Sequence, residues 1–228
     1  MTDPNKSAVL YSFRRCPYAM RARMALQVSE LTYEHREVIL RDKPKAMLEA
    51  SPKGTVPVYV KADGEVIDES LDLALYALSQ KDPQNWLDDY EPALVAHNDG
   101  PFKHHLDRYK YASRYDDTAK RGDIDLSHRE KAAIILEGLE KRLSAHAYLS
   151  GPLQSFTDIA IFPFIRQFAA VQPDWIRGRF PALSEWLTRH VESDLFKSVM
   201  IKYPLWRPAD EALDDNMSLP IETQPQTS

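Results

Sequence analysis

The feature that most constrains this chain is a change of hydrophobic pattern at a single cysteine. Ala8-Val9-Leu10-Tyr11-Ser12 is a short apolar run and reads as a buried strand, whereas the alanine-, methionine- and leucine-rich segment through Val28 reads as a helix. Cys16 stands where strand hands over to helix, and Pro17 suits the first helical position. The unpaired N–H groups and the macrodipole at a helix start favour an anion there. A thiol in that place is expected to ionise readily, with Arg14, Arg15 and Arg21 near enough in sequence to help. The competing reading is a small buried hydrophobe, the commoner fate of a free cysteine. Ala19 occupies the place of the second cysteine in a C-x-x-C pair, and the chain has 1 cysteine in all. Disulfide chemistry here must therefore take its second sulfur from another molecule, such as a small thiol.

Downstream, Thr32 to Leu40 reads as a second strand with its core at Val38-Ile39-Leu40, closing a right-handed parallel crossover. Arg41-Asp42-Lys43-Pro44 leads to a short helix over Lys45 to Ala50, and Ser51-Pro52-Lys53-Gly54 is a turn cluster. In Thr55-Val56-Pro57-Val58-Tyr59-Val60, Pro57 cannot donate to a ladder. It marks either a trans strand start or a cis turn that leaves the backbone groups of Val56 free for a ligand. Ala62-Asp63-Gly64-Glu65 is a hairpin turn, returning through Val66-Ile67. Asp68-Glu69-Ser70 opens a helix with Leu71, Leu75 and Leu78 at helical spacing. Glu69 and Ser70 read either as helix caps or as ligand partners, Glu69 accepting from an ammonium and Ser70, with nearby N–H groups, donating to a carboxylate.

Taken together, Cys16-Pro17-Tyr18-Ala19, Lys43-Pro44, Thr55-Val56-Pro57 and Glu69-Ser70 make the chain resemble the glutathione S-transferase family, on the cysteine-type side that includes the omega class. The resemblance runs from residue 8 to about 205 and implies an α/β thioredoxin-like N-terminal domain followed by an all-α C-terminal domain. It also implies glutathione as co-substrate. The proline matching Pro57 is cis in that family, and the backbone of the residue matching Val56 pairs with the cysteinyl unit of glutathione. The pair matching Glu69 and Ser70 holds the γ-glutamyl end, and the lysine matching Lys43 reaches the glycine carboxylate.

The polar, turn-rich stretch Asp82-Pro83-Gln84-Asn85-Trp86-Leu87-Asp88-Asp89 marks a domain boundary, giving expected domains over 7–82 and 90–206. Pro92 to Tyr111 reads as one long helix with Phe102, Leu106 and Tyr109 on one side. His97, His104 and His105 lie on it, but neighbouring helical residues diverge by about 100° and no constellation completes a metal site. No metal is expected. Ser127-His128-Arg129-Glu130 and Ser155-Phe156-Thr157-Asp158 both read as capping boxes, and Pro163 should kink the helix that follows the second. Residues 207–228 read as a loosely ordered tail.

The formal charge of −5 argues against nucleic acid as a partner. No apolar run approaches membrane-spanning length, the first residues are too polar for a signal peptide, and a lone cysteine suits a reducing cytoplasm. The expected protein is a cytoplasmic homodimer. Its expected chemistry is thiol transfer, deglutathionylation or reduction of small electrophiles such as dehydroascorbate, through a mixed disulfide at Cys16. Conjugation with Ser12 or Tyr11 activating glutathione is the alternative, and a non-enzymatic adaptor of the same fold is another. The acceptor is expected between the domains, near Tyr18 and lined by Phe102, Tyr109 and Trp206.

Overall fold

The computed structural model describes residues 7–208. A four-stranded sheet of order β2-β1-β3-β4 forms from β1 (Val9–Ser12), β2 (Glu34–Glu37), β3 (Val58–Val60) and β4 (Val66–Ile67). β1 pairs parallel with β2 and antiparallel with β3, which pairs antiparallel with β4. The parallel step is made by α1 (Pro17–Val28), and α2 (Lys45–Ala50) precedes β3. α3 (Ser70–Gln80) packs against α1 and closes this half of the molecule. The second strand lies earlier than its apolar residues suggest. β1 offers a ladder only from Val9 to Ser12, so Glu34 to Glu37 take the partners. Val38 N–H still reaches Ser12 O at 2.8 Å before the chain turns away.

The rest is helical. The long helix expected over 92–111 is two helices, α4 (Pro92–His97) and α5 (Lys103–Lys110), joined by a widened turn at Asn98–Phe102. Pro101, lacking an N–H, sits inside that turn, which is the physical reason for the break. α6 (Leu126–Ala145) starts one residue before the expected box. Its cap is Asp125, whose side chain accepts from the N–H groups of Ser127 and His128. Glu130, expected to complete the box, instead meets Arg129 and Arg179.

α7 (Phe156–Ala169) does open on the Ser155–Asp158 box and continues through Pro163 as one helix. Asp158 also accepts from Trp186 Nε1 at 2.8 Å and Leu149 N at 2.9 Å. Burial raises its carboxyl above the ordinary value of 3.8, while these donors pull it back. α8 (Pro173–Arg179), α9 (Pro181–Glu192) and α10 (Asp194–Val199) complete the helical layer around the buried α7.

The two halves share one core. Met20, Met24 and Leu26 of α1 belong to the same apolar cluster as Phe162, Phe164 and Phe168 of α7. Polar bonds also cross between them, from Arg21 to Asp99 and from Arg23 Nε to Val199 O at 3.1 Å. Past α10 the chain returns to the β2 edge. There Trp206 N–H donates to Glu37 O at 2.9 Å, and Tyr203 stacks on His35 at 4.0 Å. The tail expected over 207–228 lies outside the described residues except for its first two. No helix among the described residues is long and apolar enough to cross a membrane.

Candidate functional site

The loop between β1 and α1 is set by Arg23. Its guanidinium donates to Ser12 Oγ at 2.5 Å, Arg14 O at 2.8 Å and Phe13 O at 3.4 Å, and it is itself buried. Glu37 holds the same loop from the strand side, accepting from Arg14 N at 2.6 Å. Cys16 is thereby fixed as the residue before the first turn of α1, with Pro17 at its first position. The Sγ atom lies 3.7 Å from the carbonyl of Val56, and the peptide bond between Val56 and Pro57 is cis.

The electrostatics of the thiol differ from the expectation. Burial raises the Cys16 thiol above its ordinary value of 9.0, and this outweighs everything that opposes it. The N–H groups of Ala19 and Tyr18 at the helix start do lower it, as do Arg23 and Lys103. The Val56 carbonyl accepts from the protonated form and so adds nothing to ionisation. Of the arginines expected to help, Arg21 faces elsewhere: its guanidinium donates to Ser70 Oγ at 2.8 Å and grips Asp99 at 2.9 and 3.0 Å. Arg21 and Arg23 are two positions apart on a helix, about 200° around the axis, so only one of them can face the thiol.

Two cavities lie near Cys16, one lined by it and one lined by Val56, whose carbonyl is 3.7 Å from its sulfur. On one side a space of about 460 Å³ is lined by Tyr18, Val56, Pro57, Lys53, Glu69 and Ser70. The structure thus brings four of the expected glutathione residues together. Glu69 is exposed and ion-paired to Lys53 at 2.7 Å. Lys53 also meets Asp68 at 3.0 Å, and Ser51 Oγ donates to that carboxylate at 2.6 Å. Ser70 is buried at the start of α3 with its hydroxyl on Arg21. Lys53, Asp68 and Arg21 carry no local sequence signal for this pocket, because the turn at Ser51–Gly54 meets the start of α3 only in three dimensions.

Lys43 lies apart from these residues. It lines a separate space of about 280 Å³ with Leu48, Leu205 and Trp206. Its ammonium lies beside Gly54, whose left-handed φ of +63° favours glycine and where a Cβ would meet Nζ at 3.1 Å.

On the other side a cavity of about 530 Å³ opens over Cys16, between the β1–α1 loop and α5. Tyr18 lines this one too, its ring edge-on to Phe164 at 4.8 Å. The aromatic lining expected from the helical half is corrected. Phe102 and Tyr109 are 1% exposed and pack on Phe168, with Tyr109 Oη donating to Gln172 at 2.9 Å. The neighbouring positions Lys103, Lys110 and Tyr111 face the cavity instead. Trp206 stands at the sheet edge, edge-on to Tyr11 and 4.2 Å beneath the Arg36 guanidinium.

Neither alternative hydroxyl is at the cavities. Ser12 is fully buried against Arg23, and Tyr11 Oη accepts from Arg36 at 2.8 Å. One cluster that helix geometry on α5 alone does not produce forms across two helices: His104, His105 and His128 have ring nitrogens within 4.8 Å of one another. The closest pair, His105 and His128, stand Nδ1 to Nδ1 at 2.8 Å, and Arg108 donates to His104 at 3.0 Å. Burial, with the neighbouring cations behind it, keeps the His105 and His128 imidazoles below their ordinary value of 6.5.

The same architecture is found among known proteins. Residues 10–86 match the family model "Glutathione S-transferase, N-terminal domain", and residues 103–189 match "Glutathione S-transferase, C-terminal domain". The chain is 24% identical over 233 residues to "Glutathione S-transferase omega-1" of Rattus norvegicus, covering 98% of this chain and 90% of that one. It is 27% identical over 149 residues to "Probable glutathione S-transferase DHAR1, cytosolic" of Oryza sativa subsp. japonica, covering 65% and 64%. Among solved structures, a glutathione S-transferase from Rhodospirillum rubrum F11 superposes with a TM-score of 0.67 at 22% identity, over 90% of this chain and 98% of that one. A glutathione transferase family member from Pseudomonas fluorescens pf-5 with two glutathione bound gives 0.69 at 20% identity, over 86% and 92%.

Proposed function

The chain belongs to the glutathione S-transferase family, and we propose that within it the protein is a cysteine-type thiol transferase working through a mixed disulfide at Cys16. The observation that carries this reading is position: the 1 cysteine of the chain stands at a helix start between two cavities, with its sulfur 3.7 Å from the Val56 carbonyl. Glutathione lies along Val56 and Pro57 with its γ-glutamyl ammonium at Glu69 and its α-carboxylate at Ser70. Lys43, in its separate space, would have to extend past Gly54 to reach the glycine carboxylate. A ligand N–H on the Val56 carbonyl replaces the Cys16 sulfhydryl there and frees it to ionise.

The Cys16 thiolate then attacks the glutathionyl sulfur of a mixed disulfide, forming the enzyme–glutathione disulfide and expelling the acceptor thiolate. A second glutathione thiolate attacks that sulfur in turn, giving glutathione disulfide and restoring the Cys16 thiolate. In the net exchange one glutathione thiolate displaces the acceptor thiolate from its mixed disulfide with glutathione, leaving glutathione disulfide, and no other reductant is needed. Conjugation through Ser12 or Tyr11 is disfavoured because both hydroxyls are committed to buried or half-buried arginines.

Intact-mass spectrometry after incubation with glutathione disulfide tests the intermediate: one glutathionyl group should appear on Cys16 and leave with excess glutathione. A chain that gains no mass at any pH sinks this mechanism. Retention on glutathione resin, with elution by glutathione, separates an enzyme from an adaptor that has lost the pocket. The same reading makes the protein a cytoplasmic homodimer of two-domain subunits, divided over 7–82 and 90–206. Sedimentation showing only monomer at micromolar concentration would contradict the dimer.

A further inference from the structure

The cavity over Cys16 on the helical side has an unbalanced charge. Arg15, Lys103, Lys110 and Arg114 line it, against the single carboxylate of Asp107. Lys103 is ion-paired to Asp107, which leaves three cations. None of Arg15, Lys110 and Arg114 has an acidic partner within ion-pair distance among the described residues. The cations raise the cost of charging one another: Lys110 is lowered by burial, then by Arg166 and Arg15, with Asp107 opposing. Like charges gathered in a partly buried cleft are unfavourable unless a counter-charge enters.

The rest of the molecule does not explain the excess, because acidic residues outnumber basic ones, 34 to 29. The cations rest on ring faces rather than on carboxylates. Arg114 lies 4.2 Å and Lys110 5.3 Å from the Tyr111 ring centroid, and Arg15 lies 5.6 Å from that of Phe13. Held there, their hydrogen-bond donors remain open to the cavity. Leu40, Pro17 and Phe13 supply an apolar wall beside them.

We propose that this cavity selects an organic anion: the acceptor carried on the glutathionyl sulfur has an apolar body bearing a carboxylate, which binds Lys110 and Arg114. The proposal rests on the glutathione reading above and names its acceptor class. Arg15, on the opposite rim, closes over the same anion. The anion neutralises the repulsion among the cations, so its binding is favoured by the existing charge and not only by the new contacts.

The test uses two unreactive thioethers of equal shape, S-(4-carboxybenzyl)glutathione and S-(4-carbamoylbenzyl)glutathione, with S-methylglutathione as reference, in isothermal titration. The carboxylate should bind about tenfold tighter than the amide, the size of one charge-assisted bond gained. Lys110→Gln and Arg114→Gln should each reduce that ratio several-fold, and the double variant should bring it to about one, with circular dichroism confirming the fold. Equal affinity of both thioethers for the unaltered protein overturns the anion site and leaves the glutathione reading intact. The anion site is equally overturned if S-methylglutathione binds and neither benzyl compound does. If S-methylglutathione itself fails to bind, the glutathione pocket falls and this proposal falls with it.

Discussion

The two cavities beside Cys16 are built from similar residue types and differ in how their charges are matched. On the sheet side Lys53 lies between Asp68 and Glu69, and Arg21 between Ser70 and Asp99. On the helical side Arg15, Lys110 and Arg114 have aromatic rings as neighbours and, among the described residues, no carboxylate within ion-pair distance. A matched pocket binds by exchange: a zwitterionic peptide supplies an ammonium and carboxylates that take over existing partners at little net cost. An unmatched pocket binds by completion, because the missing charge must come from the ligand. The thiol lines the helical-side cavity and lies 3.7 Å from the carbonyl of Val56, which lines the other, and Tyr18 lines both. On the proposed function, the difference separates what would hold the constant half of a mixed disulfide from what would select its variable half.

The strongest way to break the comparison is to remove what joins the cavities. Cys16→Ser should lower glutathione-dependent disulfide transfer to background at saturating glutathione, because a serine hydroxyl stays protonated and cannot form the intermediate. Both cavities should continue to bind their ligands. Full transfer activity in this variant would show that the two cavities are not linked through this sulfur. Glu69→Ala should weaken glutathione binding roughly ten- to hundredfold, the range for a lost hydrogen bond to a charged group. The same change removes one of the two carboxylates that hold Lys53 and leaves it on Asp68. Titration calorimetry with unchanged affinity would take Glu69 out of the site.

The pH dependence of the thiol sharpens the comparison next. Burial holds the folded Cys16 above its ordinary value of 9.0, so the neutral form is favoured in the folded chain and the thiolate forms only at higher pH. Iodoacetamide should then alkylate the free protein at less than half its plateau rate at pH 9.0, the ordinary value. A midpoint below that of free cysteine would mean that the helix start and the cations Arg23 and Lys103 outweigh burial after all. Smallest of all, raising salt from about 0.05 to about 0.5 M should reduce the preference for a carboxylate-bearing thioether about threefold through screening, and affect S-methylglutathione less. An equal effect on both would erase the distinction between matched and unmatched pockets.

Local features of the site are legible in the chain because local physics sets them. A strand that ends at Ser12, a proline at the first helical position and a hairpin turn at Asp63-Gly64 need only near neighbours. The same holds for the Ser155–Asp158 box, whose two halves lie one helical turn apart. The box expected at Ser127 does not form, for an instructive reason: Asp125, two residues earlier, competes for the same N–H groups with a full charge and wins.

By itself, then, the sequence determined the order of elements as far as the start of α3, the place of Cys16 at a helix start, and the family resemblance through Cys16, Lys43, Pro57, Glu69 and Ser70. Tertiary structure alone decided which side chains meet. On α5 it turned Phe102 and Tyr109 into the core against Phe168 and left Lys103 and Lys110 for the cleft, because the packing of α5 on α6 and α7 sets the rotation of the helix. On α1 it chose Arg23 over Arg21 as the thiol's cation. It also reversed the expected direction of the thiol's ionisation. A helix start favours the anion from a few ångströms away and can be read from sequence, whereas desolvation depends on every atom that excludes water, and those atoms are assembled only by the fold.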